Sequence, residues 1–218
     1  MKAVKATPEG TAPPRRRNPA TTCNNILSAA TAEFAAKGLE GARTDEIAAR
    51  AGVNKRMLYH YFGNKEALWL AVLEHAYEAI RAEERKLDVG ALDPVEGMRR
   101  LVAFSVGYDR DHPEFLALLN NENLHRAKYL RGSQRVRHLH SSLGDQIADL
   151  HIRGERQGVF RAAVDPVEIY TTIAGLGFFY FSNIHTLSAI FGRDLGAPAA
   201  RKRHLEHATA VVMDYLRP

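Results

Sequence analysis

From residue 20 to the C-terminal end, apolar residues recur at three- and four-residue steps, and that period admits packed helices and little else. A stripe at this spacing lies on one helix face and has to be buried against another helix, whereas a half-buried strand needs alternation at every second residue. No segment alternates in that way between turn residues, so the chain is expected to be all-α. A first helix is predicted from about Ala20 to Lys37 on Ile26, Leu27, Ala30 and Phe34, with Gly38 placed for a left-handed cap. A second long one, about Lys65 to Lys86, carries Leu68, Trp69, Val72, Leu73, Ala76, Tyr77 and Ile80. Asp93-Pro94-Val95-Glu96 and Asp165-Pro166-Val167-Glu168 read as two helix starts, with Asp capping free amides, Pro in the first turn and Glu at the positive helix end. A shorter helix is predicted to begin at Pro113 and Glu114 and run through Phe115, Leu118 and Leu119, with the polar run Asn120-Asn121-Glu122-Asn123 near its end either lining a cavity or solvated. A longer one is predicted over about 133–157 on Val136, Leu139, Leu143, Ile147 and Leu150. An aromatic helix over 166–190 and a last one over 198–216 complete the set.

With 45% hydrophobic and 25% charged residues, the 218-residue chain has the composition of a folded protein. No apolar run approaches the ~20 residues of a membrane span, and the basic N-terminal stretch lacks an apolar signal, so no membrane partner and a cytoplasmic address are expected. Cys23 is the only cysteine, which excludes an intrachain disulfide and reads as a small buried apolar group. Of the net charge of +5, Lys2, Lys5 and Arg15 to Arg17 against Glu9 place +4 in the first seventeen residues. Residues 1–19, with Pro8, Pro13, Pro14, Pro19 and Gly10, read as a disordered basic arm, either meeting a polyanion such as nucleic acid or simply solvated.

Ten histidines raise the question of a metal. His204 and His207 share a helix face and His138 and His140 do not, but no carboxylate and cysteine set completes a site, so surface histidines and no metal are expected. No nucleophile stands in a Gly-rich turn, and neither catalytic residues nor a cofactor are predicted.

The stretch from Thr44 to Phe62 carries the chemistry. Thr44 is placed to cap a short helix with Ile47, Ala48 and Ala51 inward, Gly52 allows a tight turn, and Asn54 caps a second short helix with Leu58, Tyr61 and Phe62 inward. Two short helices joined by a Gly turn, with small residues letting them approach, form a helix-turn-helix. Its second helix has to enter the major groove, and Lys55, Arg56, Tyr59 and His60 give it a basic, polar outer face. Lys55 and Arg56 are the expected base or near-base contacts. Thr44, Tyr59, His60 and Lys65 are the expected phosphate contacts, and Asn54 completes the candidate DNA-binding set.

Phe34-Ala35-Ala36-Lys37-Gly38-Leu39-Glu40-Gly41, Ile47-Ala48-Ala49-Arg50-Ala51-Gly52-Val53, Leu58-Tyr59-His60-Tyr61-Phe62 and Lys65-Glu66-Ala67-Leu68 together resemble the TetR family of bacterial regulators. The resemblance covers about a fifth of the chain and joins three helix boundaries in register. Asn54 and Asn64 stand where Ser is frequent, and Arg56-Met57 replaces a commoner Gly or Pro plus Thr, so no known operator carries over.

The resemblance implies a three-helix DNA-binding domain at 20–64 and a larger helical ligand-binding and dimerisation domain at 65–218. It implies a homodimer on near-palindromic double-stranded operator DNA, acting as a repressor released by an unidentified small-molecule effector. By the same analogy the last two helices pair across a two-fold axis, with Gly175 and Gly177 permitting close approach. A pocket is expected among the middle helices, lined by Phe104, Tyr108, Phe115, Leu119, Phe178 and Tyr180, with Asn123, His125, Gln146 and Asn183 orienting a ligand. The rival readings are control by a protein partner, activation in place of repression, and a helical enzyme or carrier whose basic segment merely packs.

Overall fold

The computed structural model describes residues 18–218, apart from the side chains of residues 141 and 142, so the predicted basic arm falls outside the described residues except for its last two positions. Pro19 already belongs to the first helix. The described chain folds as ten α-helices and two short 3-10 turns: α1 (Pro19–Gly41), α2 (Thr44–Ala51), α3 (Lys55–Phe62), α4 (Lys65–Arg85), α5 (Pro94–Asp111), α6 (Pro113–Leu124), α7 (Gln134–Arg156), α8 (Pro166–Ser182), α9 (Ile184–Phe191) and α10 (Pro198–Leu216). Gly38, at φ +66°, breaks the regular course of α1 where the cap was expected. The Asp-Pro starts behave as read: Asp93 accepts from the amides of Val95 and Glu96, and Asp165 from that of Val167.

The apolar stripes collect into two cores. The first surrounds Phe34, Ile47 and Leu58 of α1–α3 and takes in Leu68, Trp69, Val72 and Leu73 of α4 and Leu118 of α6. Cys23 is half-buried against it. The second lies among α5, α7, α8 and α10, around Met98, Leu101, Ile147, Leu150, Ile169 and Val212. Ser133 caps α7 by accepting from the Val136 amide and donates to Glu74 of α4, tying the start of α7 to the outer side of that helix.

α6 reaches from the first core to α5 and α8, helices of the second. It continues a turn past Leu119, to Leu124, through the run Asn120 to Asn123, and the residues of that run do different things. Asn121 Oδ1 accepts the Leu39 amide at 3.0 Å beside Gly38, where a Cβ would lie 2.5 Å from the Asn121 Nδ2. Glu122, 2% exposed, accepts from the Trp69 indole N–H at 2.9 Å and from the amides of Tyr129 and Leu130 at 2.8 and 2.9 Å. Trp69 in turn meets Phe34 edge-on, with ring centroids 5.1 Å apart.

Two expectations need correction. The aromatic helix over 166–190 is two helices, α8 and α9, bent by 68° at Asn183. The Asn183 side-chain amide and its own backbone amide both donate to the Phe179 carbonyl, the competition that makes Asn a helix-ending residue. Gly177 serves the chain's own packing: a Cβ there would lie 2.5 Å from Asp109 Oδ2 and 3.5 Å from the Val106 Cα, so α8 meets α5 closely at that point. Gly175 is exposed with no atom within 4 Å of an added Cβ. Among the described residues no single helix is long and apolar enough to cross a membrane.

Glu122→Ala leaves the Trp69 indole and two amides without their acceptor, each unsatisfied buried group costing about 1–3 kcal/mol. Urea unfolding is expected to show a loss of at least ~3 kcal/mol, with fluorescence of Trp69, the single tryptophan, shifted to the red in the folded state. An unchanged midpoint and spectrum would remove Glu122 from this structural role.

Candidate functional site

α2 buries Ile47, Ala48 and Ala51 and ends on Gly52 in the left-handed region at φ +65° and ψ +31°. Thr44 is the first residue of α2, preceded by Arg43 at the cap position; no side chain caps this end. The capping role expected of Thr44 therefore gives way to another bond: its buried hydroxyl lies 3.2 Å from the Tyr59 phenol, tying α2 to α3. Beneath the α1–α2 turn sits Glu33, 1% exposed, taking the Lys37 ammonium at 2.7 Å and the Arg43 amide at 3.2 Å, with Arg50 Nη2 at 3.8 Å. The Lys37 hydrogen bond, set against desolvation, holds the Glu33 carboxyl below the usual range.

Asn54 caps α3 by accepting from the Met57 amide at 2.8 Å. Only Leu58 of this eight-residue helix is fully buried, and Phe62 is half-buried against the first core. An isolated helix of this length does not persist in water, so α3 is held by its cap, by Leu58 and by the Thr44–Tyr59 bond. Lys55, Arg56, Met57, Tyr59, His60 and Tyr61 are all exposed. Tyr61 was expected inward; instead it stands beside His60 on the outer side, with ring centroids 5.7 Å apart. Lys55 Nζ is 3.0 Å from Asp45, but both partners are about half-exposed, and such a pair contributes ~0–1 kcal/mol, little enough to be exchanged for a base or phosphate. Arg56 makes no ion pair or hydrogen bond among the described residues. Lys65 opens α4 after the Asn64 cap and donates to the Glu40 carbonyl at 3.1 Å. That bond uses one of three ammonium donors and leaves two for an anion.

Behind this head, α4, α5, α6 and α8 line a half-open cavity of about 280 Å³. Of the expected pocket residues, Phe115, Leu119, Asn123 and Phe178 line it. Tyr108 faces a neighbouring cavity between α1 and α5, and Tyr180 a third space near α9, where it stacks on His204 at 3.8 Å. His204 is therefore half-buried, with Nε2 at 2.9 Å from the Leu176 carbonyl, and is no simple surface histidine. Phe104 packs on Tyr108, His125 on Tyr129, and Asn183 caps α8; neither these nor Gln146 are among the residues lining the 280 Å³ cavity.

Sequence reasoning missed the charged walls, Arg81 and Asp109, and the phenols Tyr77 and Tyr170. The available signal was a charge on an apolar stripe: Arg81 stands four residues after the buried Tyr77, and Asp109 follows the buried Tyr108. Asp109, 8% exposed, is pushed up to about 7 by burial. Burial also raises the Tyr77 phenol to about 12 and raises that of Tyr170.

A helix-turn-helix presented this way, on a head sharing two helices with a hollow helical body, belongs to a DNA-binding transcriptional regulator. Residues 26–72 match the model for bacterial regulatory proteins of the tetR family, and 94–212 the tetracyclin repressor-like C-terminal domain. The chain is 38% identical over 196 residues to the HTH-type transcriptional repressor NicS of Pseudomonas putida, covering 90% of this chain and 92% of that protein. The HTH-type regulator RutR of Escherichia coli is 26% identical, over 88% of this chain and 89% of its own length. The fold is shared with the crystal structure of a Streptomyces coelicolor regulator, SCO4942, at TM-score 0.68 and 24% identity over 90% of this chain and 99% of that one. The chain belongs to the TetR family.

Because the ordinary value for Asp109 is 3.8, the folded protein keeps a proton there that the unfolded chain has released between about pH 4 and 7. Stability therefore falls as pH rises through that window. Asp109→Asn, which cannot ionise, is expected to gain on the native protein by a few kcal/mol between pH 5 and pH 8 in urea unfolding, at ~1.4 kcal/mol per pKa unit. A gap constant across that range would show that the carboxyl is not held neutral.

Proposed function

We propose that the protein is a homodimeric repressor that sets one α3 into the major groove of each half of a near-palindromic operator and leaves the DNA when a small molecule fills the 280 Å³ cavity. Residues 20–64 form the reading unit and 65–218 the ligand and dimer unit. The observation that carries this reading is the outer face of α3, where Arg56, Tyr59 and His60 are exposed on a helix too weakly buried to exist for packing alone. Lys55 and Arg56 reach bases; Thr44, Tyr59, His60 and Lys65 reach phosphates around the Asn54 cap. The protein acts by binding, without catalysis or cofactor, in the cytoplasm where its operator lies.

Support for dimerisation comes from the exposed Phe179, Ile190 and Phe191 and from α9, in which no residue is buried within the chain. Repression draws support from the relative named a transcriptional repressor. Release has a physical route in α4 and α6. α6 lines the cavity with Phe115, Leu119 and Asn123 and holds the head through Leu118, Asn121 and Glu122. α4 does the same with Tyr77, Ile80 and Arg81 at one end and Leu68 to Leu73 at the other. A ligand that fits one arrangement of these helices better than another shifts the spacing of the two α3 copies by as much as its affinities differ.

Fluorescence anisotropy on the protein's own upstream DNA tests the reading. Arg56→Ala is expected to weaken operator binding by roughly 10- to 100-fold, the 1–3 kcal/mol of a bidentate base contact, with helicity unchanged. Native affinity should fall with salt at a log–log slope of about −0.9 per neutralised phosphate. Undiminished operator affinity in the variant would refute the assignment of α3.

A further inference from the structure

We infer that the cavity among α4, α5, α6 and α8 takes a small single-ring organic acid, its carboxylate on Arg81 and its ring among Tyr77, Phe115 and Phe178. The inference rests on the ligand-released reading and names its ligand class.

Size sets the first limit. A dry cavity of ~150 Å³ accommodates benzene, and ligand pockets start at about 300 Å³. A volume of about 280 Å³ therefore holds one ring with its substituents and sits at the small end of ligand pockets. The walls select for a flat ring: Tyr77 and Phe115 stand edge-to-face with centroids 5.6 Å apart, leaving aromatic surfaces at right angles that a planar guest meets by stacking and edge contact.

Charge sets the second limit. Arg81 is 6% exposed, and its Nε and Nη1 have no hydrogen-bond acceptor among the described residues. Glu84 Oε2 lies 2.6 Å from Nη1, within ion-pair distance but off the line of its N–H bonds, so the guanidinium is neutralised at one corner and its donors stay unfilled. Arginine keeps its charge and offers only donors, in a planar fork that matches a carboxylate. A buried guanidinium paired at one corner, with Nε and Nη1 lacking a hydrogen bond and its side chain lining an apolar space, suits an anion. A cationic guest could pair with Asp109 but would share the cavity with the like-charged Arg81 guanidinium. Asp109, on α5 in the same lining, is also buried, and burial pushes its carboxyl up to about 7, so near neutral pH its protonated form offers both an O–H donor and a carbonyl acceptor. A carboxyl in that form suits a hydroxyl or ring nitrogen on the guest better than a second charge.

The test uses the full-length protein with benzoate, para-hydroxybenzoate, benzamide, benzylamine and decanoate, read by calorimetry and by operator release in fluorescence anisotropy. Benzoate and para-hydroxybenzoate are expected to bind at least about tenfold more tightly than benzamide, the loss of one charge-assisted partner. Arg81→Met should abolish that preference. Because it strands Glu84, the double variant Arg81→Met, Glu84→Gln removes both buried charges and keeps the comparison available in a folded protein. Equal binding of acid and amide to the native protein, an acid preference that survives in the double variant, or no binding of either acid at millimolar concentration overturns the inference. Benzylamine or decanoate releasing the operator while the acids do not leaves the ligand-released reading standing and refutes this one. Acids that bind as expected but never alter operator affinity support the cavity assignment and refute ligand release.

Discussion

The Glu122 carboxylate joins the two halves of this molecule. It is buried, and three neutral donors hydrogen-bond to it: the Trp69 indole of α4 and the Tyr129 and Leu130 amides in the segment leading to α7. The indole it orients fills the head's core against Phe34. A residue of α6 thus decides how a ring of α4 is set in the core of the DNA-reading head. The neighbouring Asn121 adds a second attachment, reaching the Leu39 amide where Gly38 leaves no Cβ in the way.

From that joint follows a division of stiffness. α4 and α6 are bound into the first core and line the cavity, while α3 is held on one buried leucine, the half-buried Phe62, one cap and one hydroxyl pair. α6 meets the head's core through Leu118 and the Leu39 amide through Asn121, contacts that do not involve α3. Packed interiors move as bodies more readily than they bend, so the head carries α3 with it. The cavity stays open for a related reason: Arg81 and Asp109 oppose dry collapse of the space between them, because neither charged nor polar groups gain from apolar contact.

The reading face and the cavity differ in how far local chemistry could reveal them. Asn54, Lys55, Arg56, Tyr59 and His60 lie within seven consecutive positions, so helix geometry and one turn place them together, and the sequence exposes that face almost completely. Tyr61 went astray because an eight-residue helix with a single fully buried residue offers a faint inward stripe. The cavity gathers Arg81, Asp109, Phe115 and Tyr170 from four helices, and only four of its expected residues line it. No local period encodes which of several partly apolar faces meet, and aromatic residues such as Phe104 and Tyr180 fit an outer packing site as well as an inner one.

The sequence alone determined the all-helical class, most helix boundaries and the helix-turn-helix, because caps, glycine turns and apolar periods act over a few residues and hardly depend on their surroundings. Tertiary structure alone decided the break at Asn183, the use of Gly177 against α5, the polar joint at Glu122 and the charged lining of the cavity. Each of these depends on which helix lies opposite, and that follows from how the helices divide between two cores.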